Sequence, residues 1–155
     1  MPREVERKFL VKNRDYRKEA GYVVIRQGFL NRNKKRVVRV RVMGEKAYLT
    51  IKGLTTGASR MEFEYPIPKT EAVELLENLC EKPMIEKRRY ILEVEEFTWE
   101  VDEFLGDNEG LIVAEIELEH EEQNFPKPAW LGEEVTYEPK YYNANLINKP
   151  FNSWK

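Results

Sequence analysis

The chain has 155 residues, 41% of them hydrophobic, which is enough for the core of one domain expected over residues 1–155. Its formal net charge is −2, from 26 basic and 28 acidic side chains, a balance that argues against a general nucleic-acid-binding surface. One cysteine (Cys80) excludes an internal disulfide, and with one histidine (His120) no Cys/His zinc site can be assembled.

In chain order, residues 4–11 alternate as a strand. Residues 13–21 are polar and turn-like, with room for a short helix. A second strand is predicted over 22–30, with a bulge at Gly28. Residues 36–43 and 46–52 read as a hairpin about Gly44-Glu45, and 60–67 as a further strand after a Gly/Thr/Ser-rich loop. Residues 69–80 carry the one clear helical period, with Thr70 as cap and Pro83 beyond the end. Strands follow at 84–94, 97–104 and 111–119. A helical turn is expected at 121–125, a bulky loop at 126–130 and a short closing helix at 141–147. About eight short strands, with no linker and no repeat, suggest an antiparallel barrel. The predicted fold class is mainly β (α+β): an eight-stranded antiparallel closed barrel with a few covering helices.

The strands share one peculiarity. Residues two apart lie on the same face of a strand, and here that face is charged in like-sign pairs. Glu4 and Glu6, Glu62 and Glu64, and Glu115 and Glu117 are acidic pairs; Arg39 and Arg41, and Lys87 and Arg89, are basic ones. Lys8 and Lys52 add to the cations, and Glu100 and Asp102 to the acids. The alternate positions are large and apolar, as in Val38-Val40-Val42 and Met61-Phe63-Tyr65. Any one such strand fits a sheet with one solvated face. Like charges repeated along a strand gain nothing for stability, however. Carboxylates from several strands make an oxygen cage suited to Mg²⁺ or Mn²⁺, and clustered Arg and Lys suit phosphate oxygens. Both sets facing one cavity describe a site for a metal-bound polyphosphate. There is no Walker-type loop and no dinucleotide fingerprint, and His120, in an acidic stretch, reads as a solvated residue.

Glu4-Val5-Glu6-Arg7-Lys8 resembles the Glu-x-Glu-x-Lys signature of the CYTH superfamily, the triphosphate tunnel metalloenzymes. The resemblance runs on through Arg39-Val40-Arg41, Lys52, Arg60-Met61-Glu62-Phe63-Glu64, Lys87 with Arg89-Tyr90, Glu100-Val101-Asp102 and Glu115-Ile116-Glu117. It implies an eight-stranded barrel around a tunnel, and a hydrolase of inorganic tripolyphosphate or nucleoside triphosphates. By this resemblance Glu4, Glu6, Glu115 and Glu117 hold the metal. Lys8, Arg39, Arg41, Lys52, Lys87 and Arg89 bind the phosphate chain, and Lys140 closes one end over it. Glu62 and Glu64 orient the attacking water or hold a second metal, and Asp102 orients a basic neighbour or a metal-bound water. An adenylate cyclase, a thiamine triphosphatase and a non-catalytic polyphosphate-binding module remain as alternatives. No apolar run spans a bilayer and no secretory pattern opens the chain, so a cytoplasmic protein with no membrane or nucleic-acid partner is expected. The apolar outer face leaves room for a homodimer.

Overall fold

The structure is a computed structural model that describes residues 3–154. Among these residues there are nine strands and two α-helices: β1 (Arg3–Val11), β2 (Tyr22–Asn31), β3 (Val37–Met43), β4 (Lys46–Lys52), β5 (Ser59–Pro66), α1 (Lys69–Asn78), β6 (Ile85–Val94), β7 (Phe97–Phe104), β8 (Ile112–Glu117), β9 (Leu131–Glu134) and α2 (Asn143–Leu146). Strands β1 to β8 close into a ring in the order β1-β5-β4-β3-β2-β6-β7-β8, and β8 returns to β1. All these ladders are antiparallel. One edge of β1 is shared, with β5 along Arg3–Val5 and β9 along Phe9–Val11.

Register decides what the ring contains. Residues opposite one another in a ladder share a face, and the charged positions meet in row after row. Glu4 lies opposite Arg60, Glu6 opposite Glu117 and Lys8 opposite Glu115. Arg39 lies opposite Thr50, Lys52 opposite Glu62, and Thr50 opposite Glu64. Arg89 faces Asp102, and Glu100 faces Glu115. The charged faces of seven strands therefore turn inward, while β2 turns in Val23, Ile25, Gln27 and Phe29 opposite Arg89, Lys87, Arg41 and Arg39. Most apolar positions turn outward and many are covered, with Tyr22, Val24, Ile51 and Tyr65 left exposed. Phe9, Tyr90, Trp99 and Ile116 pack with Tyr16, Trp130 and Phe125. Val40, Val42 and Ala47 take Ala72 and Leu76 of α1. At one end of the barrel the inward rows themselves turn apolar: Phe29, Val37, Ile85 and Phe104, opposite Arg39, Lys52, Gln27 and Lys87, pack with Tyr141, Leu146 and Ile147 near α2. Each large side chain so buried contributes about 1.5–3 kcal/mol.

Several local expectations change. The helix α1 begins after Pro68, whose extended backbone is its N-cap, and no side chain of Thr70 or any other residue caps it. The β2–β3 register shifts between Phe29 and Asn31 rather than at Gly28. Gly28 has a different use: a Cβ there would lie 2.9 Å from Cys80 Cβ and 3.1 Å from Leu76 Cδ2, so its bare backbone lets α1 approach the barrel. Residues 121–125 form no helix. The closing segment is a 3₁₀ turn at Pro139–Tyr141 followed by α2. Leu131–Glu134 is a strand that the sequence reading left out. Among the described residues no helix is long and apolar enough to cross a membrane.

Candidate active site

Inside the ring the cations come with partners. On β6, Arg89 donates two hydrogen bonds to Asp102, Nε to Oδ1 at 2.8 Å and an η-nitrogen to Oδ2 at 2.9 Å. Lys87 Nζ sits 2.8 Å from the same carboxylate and donates to Asn143 Oδ1 at 2.9 Å. Asp102 is thus a buried anchor that holds two phosphate-binding candidates in one place. Burial pushes its pKa up, but Arg89 and Lys87 pull it below the usual carboxylate range. Lys87 is pushed down to about 8, first by burial, with Arg89 repelling it and Asp102 resisting.

On β4, Lys52 Nζ bridges Glu4 at 3.1 Å and Glu62 at 3.3 Å. On β1, Lys8 Nζ reaches Glu6 at 2.8 Å and Glu115 at 3.1 Å. Arg41 donates to Glu64 at 3.2 Å, and Arg39 lies 3.6 Å from it. Thr50 Oγ1 donates to the same Glu64 carboxylate at 2.8 Å. The Nε donors of Arg39 and Arg41 are buried without a hydrogen-bond partner. Such donors are costly unless an acceptor reaches them, and two guanidinium edges side by side suit phosphate oxygens.

Carboxylate oxygens of Glu4, Glu6 and Glu117 lie within 4.8 Å of one another. The Mg–O distance of about 2.1 Å makes a coordination sphere about 4.2 Å across, so modest side-chain adjustment would bring all three oxygens onto one hard cation. Their charge states fit the same use. Burial pushes Glu4 and Glu6 up, yet lysines outweigh it and hold both at about 2 (Lys52 and Lys8 for Glu4, chiefly Lys8 for Glu6). Glu117 has no such help. Burial, then repulsion from Glu100, Glu4, Glu6 and Glu62, raises it to about 7. A divalent ion is the group that would relieve it. Glu62 is raised by burial and by Glu4, and Glu100 by burial, against the pull of Arg89.

Of the fourteen candidate site residues singled out from the sequence, the structure gathers all but one in the barrel. Glu4, Glu6, Lys8, Arg39, Lys52, Lys87, Arg89 and Glu115 line a cavity of about 510 Å³. Arg41, Glu62, Glu64, Asp102 and Glu117 face the same interior through the ion pairs and register above. Among the described residues Glu115 lies outside the three-carboxylate group; it pairs with Lys8, as Glu6 also does. Lys140 is the exception. It is exposed and does not line the cavity, and its Nζ lies 4.7 Å from the centre of the Trp154 ring. Its neighbours Tyr142 and Asn143 line the cavity instead. Lys8 Nζ lies 5.7 Å from the Tyr142 ring centre, and Asn143 Oδ1 also accepts from Gln27 Nε2 at 2.9 Å. Thr136 Oγ1 accepts from the Lys8 amide at 2.9 Å. Arg32 and Lys34, from the β2–β3 turn, add positive charge to the lining.

A closed antiparallel barrel with an inward-facing carboxylate group beside buried cations defines a class of protein built to hold a polyanion and a hard metal ion. A CYTH domain model matches residues 2–150, and the chain belongs to the CYTH domain family. It is 54% identical over 155 residues to an inorganic triphosphatase of Acetivibrio thermocellus, covering 100% of this chain and 99% of that protein. An inorganic triphosphatase of Nitrosomonas europaea is 35% identical over 147 residues, 92% of this chain and 95% of the other. Among solved structures, the inorganic triphosphatase NE1496 matches with a TM-score of 0.65 at 34% identity, over 93% of each chain.

Proposed function

We propose that this protein is a metal-dependent triphosphatase that removes the terminal phosphate of inorganic tripolyphosphate inside the barrel. The observation that carries the reading is the three-carboxylate group Glu4, Glu6 and Glu117 set among buried cations in one cavity. The names of its relatives supply the substrate.

Glu4, Glu6 and Glu117 hold the metal, Mg²⁺ or Mn²⁺, with Glu115 beside them on Lys8. The bound ion supplies charge neutralisation for the transferring phosphoryl group. The chain's own residues supply position. Arg39, Arg41, Lys8, Lys52, Lys87 and Arg89 bind the phosphate oxygens, and because their carboxylate partners fix them beforehand, little rearrangement is needed when charge develops. Asp102 acts through Arg89 and Lys87, and Glu64 through Arg39 and Arg41; both are positioning residues in this reading. Glu62, held 3.3 Å from Lys52 Nζ, orients the attacking water. Water attacks the terminal phosphorus in line with the bridging oxygen that leaves on pyrophosphate. A cytoplasmic setting fits a chain whose one cysteine is buried and free.

The test is phosphate release from tripolyphosphate with Mg²⁺, with Mn²⁺ and with EDTA. Metal-dependent release is expected, together with a rise in melting temperature when metal and tripolyphosphate are both present. Affinity without turnover would replace the enzyme by a binding module. Cyclic AMP formed from ATP would replace the hydrolase by a cyclase.

A further inference from the structure

The edge of β1 that faces β5 and β9 has a gap in its ladder. Pairing with β5 ends at Val5, and pairing with β9 begins at Phe9. Glu6 and Lys8 lie between them, and their amides still need acceptors. Glu6 N–H donates to the Ala58 carbonyl at 3.1 Å, from the turn before β5. Lys8 N–H donates instead to a side chain, the Thr136 hydroxyl, at 2.9 Å. The Lys8 carbonyl accepts from the Val135 amide at 2.8 Å. Residues 135–136 thus clasp the backbone of a lysine whose ammonium meets both Glu6 and Glu115 inside the barrel. The cavity reaches the wall at this gap, since Ala58 and Thr136 both line it.

A hydroxyl has one proton, so it accepts at Lys8 best when that proton points elsewhere. The proton can go to Glu134 Oε2 at 2.5 Å or to the Lys8 carbonyl at 3.4 Å. The nearer acceptor is an anion, and charge-assisted hydrogen bonds are the stronger ones, so Glu134 takes it. Glu134 is gripped in turn by Arg7, whose Nε donates to Oε2 at 2.8 Å and whose η-nitrogen donates to Oε1 at 2.6 Å. This pair stands outside the cavity, and Arg7 lies 5.2 Å from the centre of the Phe125 ring. The Thr136 carbonyl accepts from Tyr142 Oη at 3.2 Å, which ties the same residue to a second part of the lining. With its proton on Glu134, the hydroxyl has none to offer a phosphate. Thr136 lines the cavity without being a ligand in it.

We propose that Thr136 is a positioning residue for the phosphate chain, acting through the backbone of Lys8, and that the Arg7–Glu134 pair outside the barrel orients it. The proposal rests on the triphosphatase reading above, in which Lys8 binds phosphate, and it names residues that reading does not use. The relay crosses the barrel wall between two sequence neighbours: Arg7 points out and Lys8 points in. Valine in place of Thr136 keeps the shape and removes the acceptor. Lys8 N–H and Glu134 then each lose a partner, and the stretch between Val5 and Phe9 is free to shift. A misplacement of about 1 Å at a group that holds substrate is enough to matter, at up to about a hundredfold. Serine keeps the hydroxyl and with it the relay.

Calorimetric titration of the full chain tests this. The probe is imidotriphosphate, an analogue of tripolyphosphate whose P–N–P bridges resist hydrolysis, with Mg²⁺ and with Mn²⁺. Wild type is compared with Thr136→Val, Thr136→Ser, Lys8→Met and the double variant Lys8→Met/Thr136→Val. Thr136→Val should raise Kd about tenfold, the order of coupling found within one hydrogen-bond network. Thr136→Ser should bind as wild type does. In the Lys8→Met background the valine should change nothing further, a result that a merely structural threonine would not give. Should Thr136→Val fail to fold, Arg7→Lys takes its place in the cycle, with a smaller rise in Kd expected. It keeps the charge, loses the fork and touches no cavity atom. Wild-type affinity in these variants, or an equal rise with and without Lys8, overturns the positioning role and leaves the triphosphatase reading standing. A wild-type protein that binds no imidotriphosphate with either ion overturns both.

Discussion

The two faces of β7 do opposite things with the same backbone. On the outside, Trp99 and Val101 are fully buried among Phe9, Ile116 and Trp130, with Trp99 edge-on to Trp130 at 5.6 Å between ring centres. On the inside, Glu100 lies directly opposite Glu115, and Asp102 carries two cations. The outer row stabilises the fold. The inner row is divided: Asp102 is neutralised by its partners, while Glu100, Glu115, Glu6 and Glu117 stand as acid opposite acid in neighbouring ladders, an arrangement that costs stability. The outer face thus supports an interior that would not hold together by itself, and one of these acid pairs, Glu6 and Glu117, belongs with Glu4 to the group suited to an ion.

Mutation on each face should separate these roles. The largest effect should come from the outer row. Trp99→Ala is expected to lose about 3–5 kcal/mol in urea denaturation, and a loss under about 1 kcal/mol would mean that the outer cluster is not the support claimed for it. On the inner face, Glu117→Gln should cut metal-dependent turnover by more than about a hundredfold, the upper range reached by changes one shell further out. Its melting temperature without metal should equal or exceed that of wild type, because one crowded carboxylate is gone. A large drop in melting temperature would show Glu117 to be structural.

The smallest effect is one of pH, at Lys87. Its pKa is near 8 in the folded protein against 10.5 for an ordinary lysine, so between those values the unfolded chain binds more protons. Stability from this group therefore rises with pH from about 8 to 10.5. Lys8 is held above its ordinary value and changes stability only at higher pH. Wild type should accordingly gain stability relative to Lys87→Met across that window. Phosphate binding should do the reverse: KM for tripolyphosphate should rise above pH 8 as Lys87 loses its charge, and Lys87→Met should bind weakly at every pH without that rise. A KM profile identical in both proteins would remove Lys87 from the binding set.

What was legible in the sequence follows from period. Strand parity alone turns Glu4, Glu6 and Lys8 to one face, and the same rule, applied to the other strands with charged pairs, recovers the charged part of the barrel interior; it gives no sign of β2, whose inward positions are uncharged. The helix α1 was visible because its apolar spacing has no strand alternative. Parity could not separate Glu115 from Glu117, which share a face. What separates them is register, since Lys8 falls opposite Glu115 while Glu117 falls opposite Glu6. Nor could it find Thr136, Tyr142 and Asn143, which reach the cavity from a segment with no strand or helix pattern. The β9 strand was missed because four residues, Leu-Gly-Glu-Glu, carry no β signal. Its Gly132 is needed where the backbone passes so close to β1 that a Cβ would lie 3.0 Å from the Leu10 carbonyl oxygen. Lys140 was misjudged for a related reason: its position beside the cavity-lining Tyr142 and Asn143 does not fix its direction, and the Tyr141 and Trp154 rings hold it outside.

The triple pairing of β1 has a consequence for the order of assembly. Its partners β5, β8 and β9 lie far down the chain, so the ring cannot close until most of the polypeptide has been made. At about 5–20 residues per second of synthesis, β1 waits for several seconds with both edges unpaired. Folding dominated by such distant pairings is slow, and an unpaired strand of this length invites sticking to other chains. Glu4, Glu6 and Lys8 lie along the waiting strand, and charges on an edge discourage that adhesion. The residues proposed to serve chemistry would thus also guard the nascent chain, and neutral substitutions among them should leave more protein in inclusion bodies than their effect on the finished fold would suggest.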